Sequence, residues 1–352
     1  MNHYPSNVKE KLNSIILSMA EHHWLFSKNP GHDFTRQHLG KLSFYDTMRL
    51  IISMGKGSTN DEIMDYFDLD PDLIPSQSAF CQRRRQISLS AFEYLFSEFS
   101  SSFPSTTDKF KDHCILACDG CHVVYATNSD IIEDYNKPRL IDYKGYNHMH
   151  LNGFVDVISK AFLDVVIQPG QQPDEREALH SMLDHFTPDD PQKYIITADR
   201  GYESYDLLFH CELKNLGYVF RVKSPSSPKS ILSYYASELP DDLEEFDVTI
   251  KRFFTNKATN IMKSQSDVYR YINPSKNTPH FYELLRKKHS HLYFLQFRVV
   301  KIKTAENTQE IYSRLILYNF GIFIANEAAE ENRKKKRDGS NKISMNLTFL
   351  QH

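Results

Sequence analysis

Between residues 113 and 223 the apolar runs follow one another in an order that leaves few architectures open. Cys114 to Ala126, Tyr146 to Ile158 and Ala161 to Pro169 are rich in Ile, Leu, Val and Tyr and read as three consecutive strands, an antiparallel meander. Asp174 to Phe186 then places Ala178, Leu179, Met182 and Leu183 at helical spacing. Lys193 to Ala198 is a short buried-type strand, Ser204 to Leu216 a helix closed by Gly217, and Tyr218 to Lys223 another strand. The order β-β-β-α-β-α-β predicts an α/β unit, a mixed sheet with helices on its faces in the layout of ribonuclease-H-like cores.

Two strands of that unit end in aspartate. Ile115-Leu-Ala-Cys-Asp119-Gly120 and Ile195-Ile-Thr-Ala-Asp199-Arg200-Gly201-Tyr202 each carry a carboxylate out of an apolar run, with a glycine soon after to let the chain turn. A lone Asp-Gly is an ordinary turn. Two such carboxylates on neighbouring strands repel by on the order of several kcal/mol, and a divalent cation between them relieves that repulsion. Oxygen-only ligands select Mg²⁺ or Mn²⁺ over zinc.

The flanking regions differ in character. Residues 1–112 read as a helical N-terminal domain, with helices over Val8 to Leu25, Phe44 to Met54, Asn60 to Phe67 and Ser76 to Phe103. The pair Asn60–Phe67 and Ser76–Ile87 has helix-turn-helix order, and Arg83, Arg84 and Arg85 on its second helix are candidate DNA contacts or a solvated face. Residues 113–225 form the core, residues 226–304 alternate in short strand-like pieces after a Ser/Pro linker, and residues 305–352 carry a helix over Thr308 to Glu331 and a basic tail. The 42 Lys+Arg nearly balance the 45 Asp+Glu, but residues 113–250 have a net charge of −12 and residues 251–352 of +11. A basic surface beside an acidic site suits a polyanion, because carboxylates alone repel a phosphate backbone.

Five cysteines argue against a disulfide framework and for a reducing compartment. With no signal peptide and no apolar run of membrane length, the chain is expected to be soluble, cytoplasmic and free of membrane partners. Cys114, Cys118 and Cys121 read as small apolar strand residues rather than zinc ligands. His148 and His150 share one strand face and are expected to be solvated, and Tyr202 is expected to fill the core.

Asp119-Gly120, Asp199-Arg-Gly-Tyr-Glu-Ser-Tyr205, Ser76-Gln-Ser-Ala-Phe-Cys-Gln-Arg-Arg-Arg85 and Ile311-Tyr-Ser-Arg-Leu-Ile-Leu-Tyr-Asn-Phe320 together resemble DDE transposases of bacterial insertion sequences, of the insertion-sequence-four type. The resemblance extends from about residue 40 to residue 349, and Asp-Arg-Gly-Tyr is its most specific part. It implies that Asp119 and Asp199, with a glutamate, hold two Mg²⁺ or Mn²⁺ ions about 4 Å apart that activate water or a DNA 3′-hydroxyl for attack on phosphodiesters. It implies double-stranded DNA, element ends and target, as the partner; Arg83, Arg84, Arg85, Lys287 and Lys288 are candidate contacts or solvated surface, Arg200 a partner for a DNA phosphate or for Asp199, and a homodimer on DNA in the nucleoid is the expected assembly to be tested. The β-rich stretch 226–304 corresponds to an insertion ahead of the last catalytic helix.

One departure stands against this match. The family signature Tyr-x2-Arg-x3-Glu-x6-Lys, which supplies the third carboxylate, is missing between the strand Phe297 to Lys303 and Gln309-Glu310, as after an internal deletion, and the ending at His352 reads as a truncation. Glu310 is the nearest substitute. The sequence therefore predicts a metal-dependent transposase of impaired activity, with a catalytically inactive remnant that only binds DNA as the alternative. A repair nuclease of the same fold is disfavoured by the Tyr318-Asn-Phe320 block.

Overall fold

The fold is described from a computed structural model, over residues 4–35, 41–103, 110–137, 145–240, 242–257, 259–273 and 278–302. The helix expected at Thr308 to Glu331, the block Ile311 to Phe320 and Glu310 lie outside these residues.

The central sheet is built from β1 (Cys114–Tyr125), β2 (Tyr135–Asn136), β3 (Tyr146–Asp156), β4 (Phe162–Pro169), β5 (Tyr194–Ala198) and β6 (Gly217–Phe220). β3 pairs antiparallel with β1 on one side and with β4 and the short β2 on the other, whereas β5 pairs parallel with both β1 and β6. The expected meander is present, followed by two parallel crossovers through α6 (Glu175–His185) and α7 (Tyr205–Leu213). This mixed sheet with helices packed on it is consistent with the expected ribonuclease-H-like layout.

Sequence pattern explains how the layers seal. Leu116, Cys118, Phe154, Ile196 and Ala198 from the strands bury against Leu179, Met182 and Leu183 of α6 and Leu207 and Cys211 of α7. Asp174 starts α6 as its N-cap, accepting from the amides of Arg176 and Glu177, and Ser204 caps α7 through the amide of Asp206.

The N-terminal region comprises α1 (Tyr4–Glu21), α2 (Phe44–Ser53), α3 (Thr59–Tyr66), α4 (Gln77–Gln86) and α5 (Leu89–Ser101). Ile16, Met19, Phe44, Met48, Ala91 and Leu95 fill one core, and Leu42, Leu50, Ile63 and Phe80 a second between α2, α3 and α4. The single helix expected from Ser76 to Phe103 is divided at Ile87 and Ser88. There Ser88 donates its amide to the carbonyl of Phe26 and Gln86 accepts from the amide of Lys28, so a β-bridge takes the backbone groups a continuous helix would use.

Beyond the sheet, β7 (Phe246–Thr255) pairs with β9 (Leu292–Lys301) and β8 (Tyr269–Tyr271), with α8 (Asn260–Ser264) and α9 (Pro279–Lys287) between the strands. Phe209 of α7 buries with Phe254, Phe281, Leu284 and Leu295, which joins this second sheet and α9 to the central unit.

Leu179 is fully buried at the centre of the α6 contact. Leu179→Ala is expected to lower unfolding free energy by about 2–5 kcal/mol, measured as a fall in the urea midpoint with unchanged slope.

Candidate functional site

The two strand-end aspartates are brought side by side by parallel pairing. Cys118 on β1 is the register partner of Ala198 on β5, and Asp119 and Asp199 are the next residues of each strand. β5 stops there, whereas β1 continues to Tyr125 paired with β3, so the aspartates border the notch where β5 leaves the sheet. Open sheets of this kind bind ligands beyond the carboxyl ends of their parallel strands. Both residues are exposed. Asp119 Oδ1 accepts from the amide of Gly120 at 2.9 Å and Asp199 Oδ1 from the amide of Gly201 at 2.6 Å.

A third carboxylate enters from a residue that sequence reasoning did not single out. Glu175 is the first residue of α6, and its carboxylate lies over both glycines that follow the aspartates. A Cβ placed on Gly120 would stand 2.9 Å from Glu175 Oε1 and 2.5 Å from His150 Nε2. One placed on Gly201 would stand 2.8 Å from Glu175 Oε2 and 2.9 Å from Asp199 Oδ1. Glycine at these two positions is what makes room for the carboxylates. Alternation along β1 turns Asp119 away from the α6 side that Gly120 faces, so Glu175 and Asp199 meet at Gly201 while Asp119 reaches the notch from the other face of the strand.

This donor set fits a hard divalent cation. Its side chains are all carboxylates, and His150, 5% exposed, points Nε2 toward Glu175 Oε1 at 3.3 Å without the alignment of a hydrogen bond. As placed, among the described residues, the three carboxylates do not converge on one point, since each aspartate is turned onto a nearby amide.

His150 and His148 correct the expectation of a solvated face. Both are buried, because they lie on the β3 face that carries Asn152 and Phe154, where Glu175 of α6 covers His150 and Gly170 closes on His148; the ring of His122, across the β1–β3 pair, packs edge-on against both, and Asn136 contacts His148 Nδ1. Tyr202 is in the core as expected, fully buried, with its hydroxyl directed at Asn152 Oδ1 at 3.5 Å. Burial pushes the Cys118 thiol up to about 12, opposed by a hydrogen bond from Tyr202, so Cys118 remains a neutral packing residue beneath the site. Cys114 is buried too, whereas Cys121 is exposed.

Every residue of Asp199 to Tyr205 has a place in the geometry. Glu203 is buried and accepts from the amides of Lys223 and Ile231 and the hydroxyl of Ser230, with Lys223 Nζ at 3.3 Å. Tyr205 donates its hydroxyl to the Ile231 carbonyl. Arg200 is exposed, its carbonyl accepting from Lys223 Nζ, and Arg176 Nε donates to the Gly201 carbonyl. Arg176, Arg200 and Lys223 thus form a cationic rim, of which only Arg200 was singled out in sequence.

The other candidate DNA contacts are dispersed. Arg84 and Arg85 are exposed on α4, while Arg83 lies over the Phe34 ring at 5.1 Å and donates to Gln86. Lys287 faces Glu283 at 3.8 Å and Lys288 follows it, at the opposite end of α9 from His280.

Residues 110–320 match the transposase DDE domain. No curated protein sequence matches the chain.

Removing the Glu203 carboxylate strands two amides, a hydroxyl and an ammonium. Glu203→Ala is expected to cost about 3 kcal/mol and to open the 223–231 segment to limited proteolysis, read by denaturation and by mapping the first cut.

Proposed function

The chain belongs to the transposase DDE-domain family, and on that premise we propose that it acts at the ends of a mobile DNA element of the insertion-sequence-four type, breaking and joining phosphodiester bonds. The observation that carries this reading is the register of β1 and β5, which sets Asp119 beside Asp199 at the end of the sheet, with Glu175 above the glycines that follow them. Asp119, Asp199 and Glu175 would hold Mg²⁺ or Mn²⁺, with Glu310 the other candidate for the third carboxylate. A bound ion lowers the charge on a scissile phosphate and the pKa of the attacking hydroxyl. The chain's own part is to orient the carboxylates and to hold the phosphate backbone. To meet at one point, the Asp119 and Asp199 side chains rotate off the amides of Gly120 and Gly201.

Arg176, Arg200 and Lys223 offset the acidic charge where a phosphodiester must approach. Farther away, the α3–α4 pair, with Ser58 and Ser76 as N-caps and Arg84 and Arg85 exposed, serves as the end-recognition element of a helical domain over residues 1–112. The β-rich residues 226–304, with Lys287 and Lys288, add a second basic surface, and two chains pair across two DNA ends in the nucleoid. Among the described residues no helix is long and apolar enough to cross a membrane. The absent Tyr-Arg-Glu-Lys signature favours a second reading, a DNA-binding protein without cutting activity.

The test is strand cleavage in Mn²⁺ on DNA carrying both flanks of the gene. Cutting by the chain, lost by about a hundredfold or more in Asp119→Ala and Asp199→Ala, supports the transposase. An equal loss in Glu175→Gln but not Glu310→Ala assigns the third carboxylate to α6, and the reverse assigns it to Glu310. End binding with no cutting in any variant establishes the inactive reading.

A further inference from the structure

Outside the carboxylate site, three histidines from three helices meet in one place: His180 of α6, His210 of α7 and His280 of α9. Each offers a ring nitrogen within 4.8 Å of those of the other two. Their rings are nearly parallel and their centroids form a triangle, with His280 at 4.0 Å from His210 and 4.4 Å from His180, and His180 at 5.2 Å from His210. All three side chains are mostly buried, at 12%, 3% and 17% exposure.

The carboxylates around them set the tautomers. Asp206, itself buried, accepts from the amides of His280 and Phe281 through Oδ1, and turns Oδ2 to His280 Nδ1 at 2.7 Å and His180 Nε2 at 3.6 Å. Asp184 Oδ1 faces His210 Nε2 at 3.2 Å. When His180 and His210 each present an Nε2–H to a carboxylate, their Nδ1 lone pairs point at each other across 2.9 Å. Two lone pairs at that distance need a proton or a metal ion between them. A proton on one Nδ1 joins the two rings by an N–H···N bond at the loss of one Nε2–H donation, to Asp206 for His180 or to the exposed Asp184 for His210, whereas a metal ion keeps both donations.

We propose that His180, His210 and His280 bind a zinc-class transition-metal ion, with Asp206 as fourth ligand or as the carboxylate that orients His280. Neutral imidazoles select such an ion over Mg²⁺, and carboxylates behind ligating histidines are the usual means of fixing them. Closing on the ion brings the nitrogens to about 3.3 Å from one another, as bonds near 2.0 Å in a tetrahedron require, and the stacked rings fan apart as they do so. The ion ties α9, from the second-sheet region, to α6, whose first residue is Glu175. It is therefore a structural clamp on the helix that presents that carboxylate. His180, His280, Asp206 and Glu175 also line one cleft of about 500 Å³, which gives the ion a route in from solvent.

The experiment is thermal melting of the full chain stripped of metal, then supplied with Zn²⁺ or Mg²⁺, alongside Asp119→Ala, His180→Gln and His280→Gln. Zinc in large excess over its dissociation constant is expected to raise Tm by about 5 °C in the chain and in Asp119→Ala, with one zinc retained per chain. Mg²⁺ is expected to leave this signal unchanged, and both histidine variants to lose it. A zinc shift that survives in His180→Gln and His280→Gln overturns the site. Where those variants do not fold, Co²⁺ titration of the unaltered chain decides: an intense visible band of tetrahedral nitrogen ligation supports the site, and its absence overturns it. None of these readouts requires DNA cleavage, so an inactive chain still tests the zinc site.

Discussion

The parallel pairing of β1 with β5 is the contact from which the rest of the arrangement follows. It requires a crossover, and the chain spends that crossover on β3, β4 and α6, so the connection that makes Asp119 and Asp199 neighbours also delivers Glu175 to them. The same pairing buries Leu116, Cys118, Ile196 and Ala198 on one face, against α6 and α7. The early end of β5 is equally needed. Were it to run as far as β1, its next residues would fill the notch that the carboxylates border.

Sequence made the strand order, both aspartates and the burial of Tyr202 legible, because all three are written in contiguous residues: apolar runs, a carboxylate at their ends, glycine after it. What was not legible lies in pairings between distant segments. Glu175 looks like an ordinary acidic residue in the first turn of a helix, and nothing local says that its oxygens sit over Gly120 and Gly201. His148 and His150 have the alternation of a half-exposed strand, and their burial comes from distant segments, α6 at Glu175 and the turn at Gly170, that close over their face of β3. The continuous helix read over Ser76 to Phe103 has good periodicity throughout. Its division depends on the segment around Phe26, which competes for the backbone at Ile87. His180, His210 and His280 have no spacing in common at all; only the packing of α9 against α7 brings them together.

Asp199 to Tyr205 shows why a short motif carries so much information. Within it, one carboxylate faces the site, one glycine leaves space for two side chains, one tyrosine is buried, and Glu203 holds the next segment by its amides. Each role restricts its position for a different physical reason: charge, absence of a Cβ, volume, and acceptor count. Substitution at any of them disturbs an element other than its own. The block therefore acts as a fastening between the sheet, α7 and the chain that leads to the second sheet.

Charge gives this fastening its purpose. The middle of the chain has a net charge of −12, and within it the strand register sets Asp119 beside Asp199, with Glu175 over the glycines that follow them. Such a site is most favourable with cations in it or around it. The structure supplies one set in Arg176 and Lys223, which donate to carbonyls of the loop that carries the exposed Arg200. On the proposed reading the remainder would fall to ions, and the two donor chemistries would keep them apart: oxygens at the notch for a hard cation, imidazoles between α6, α7 and α9 for a softer one. Because α6 carries both Glu175 and His180, ions at the two sites would anchor the helix at both places along its length.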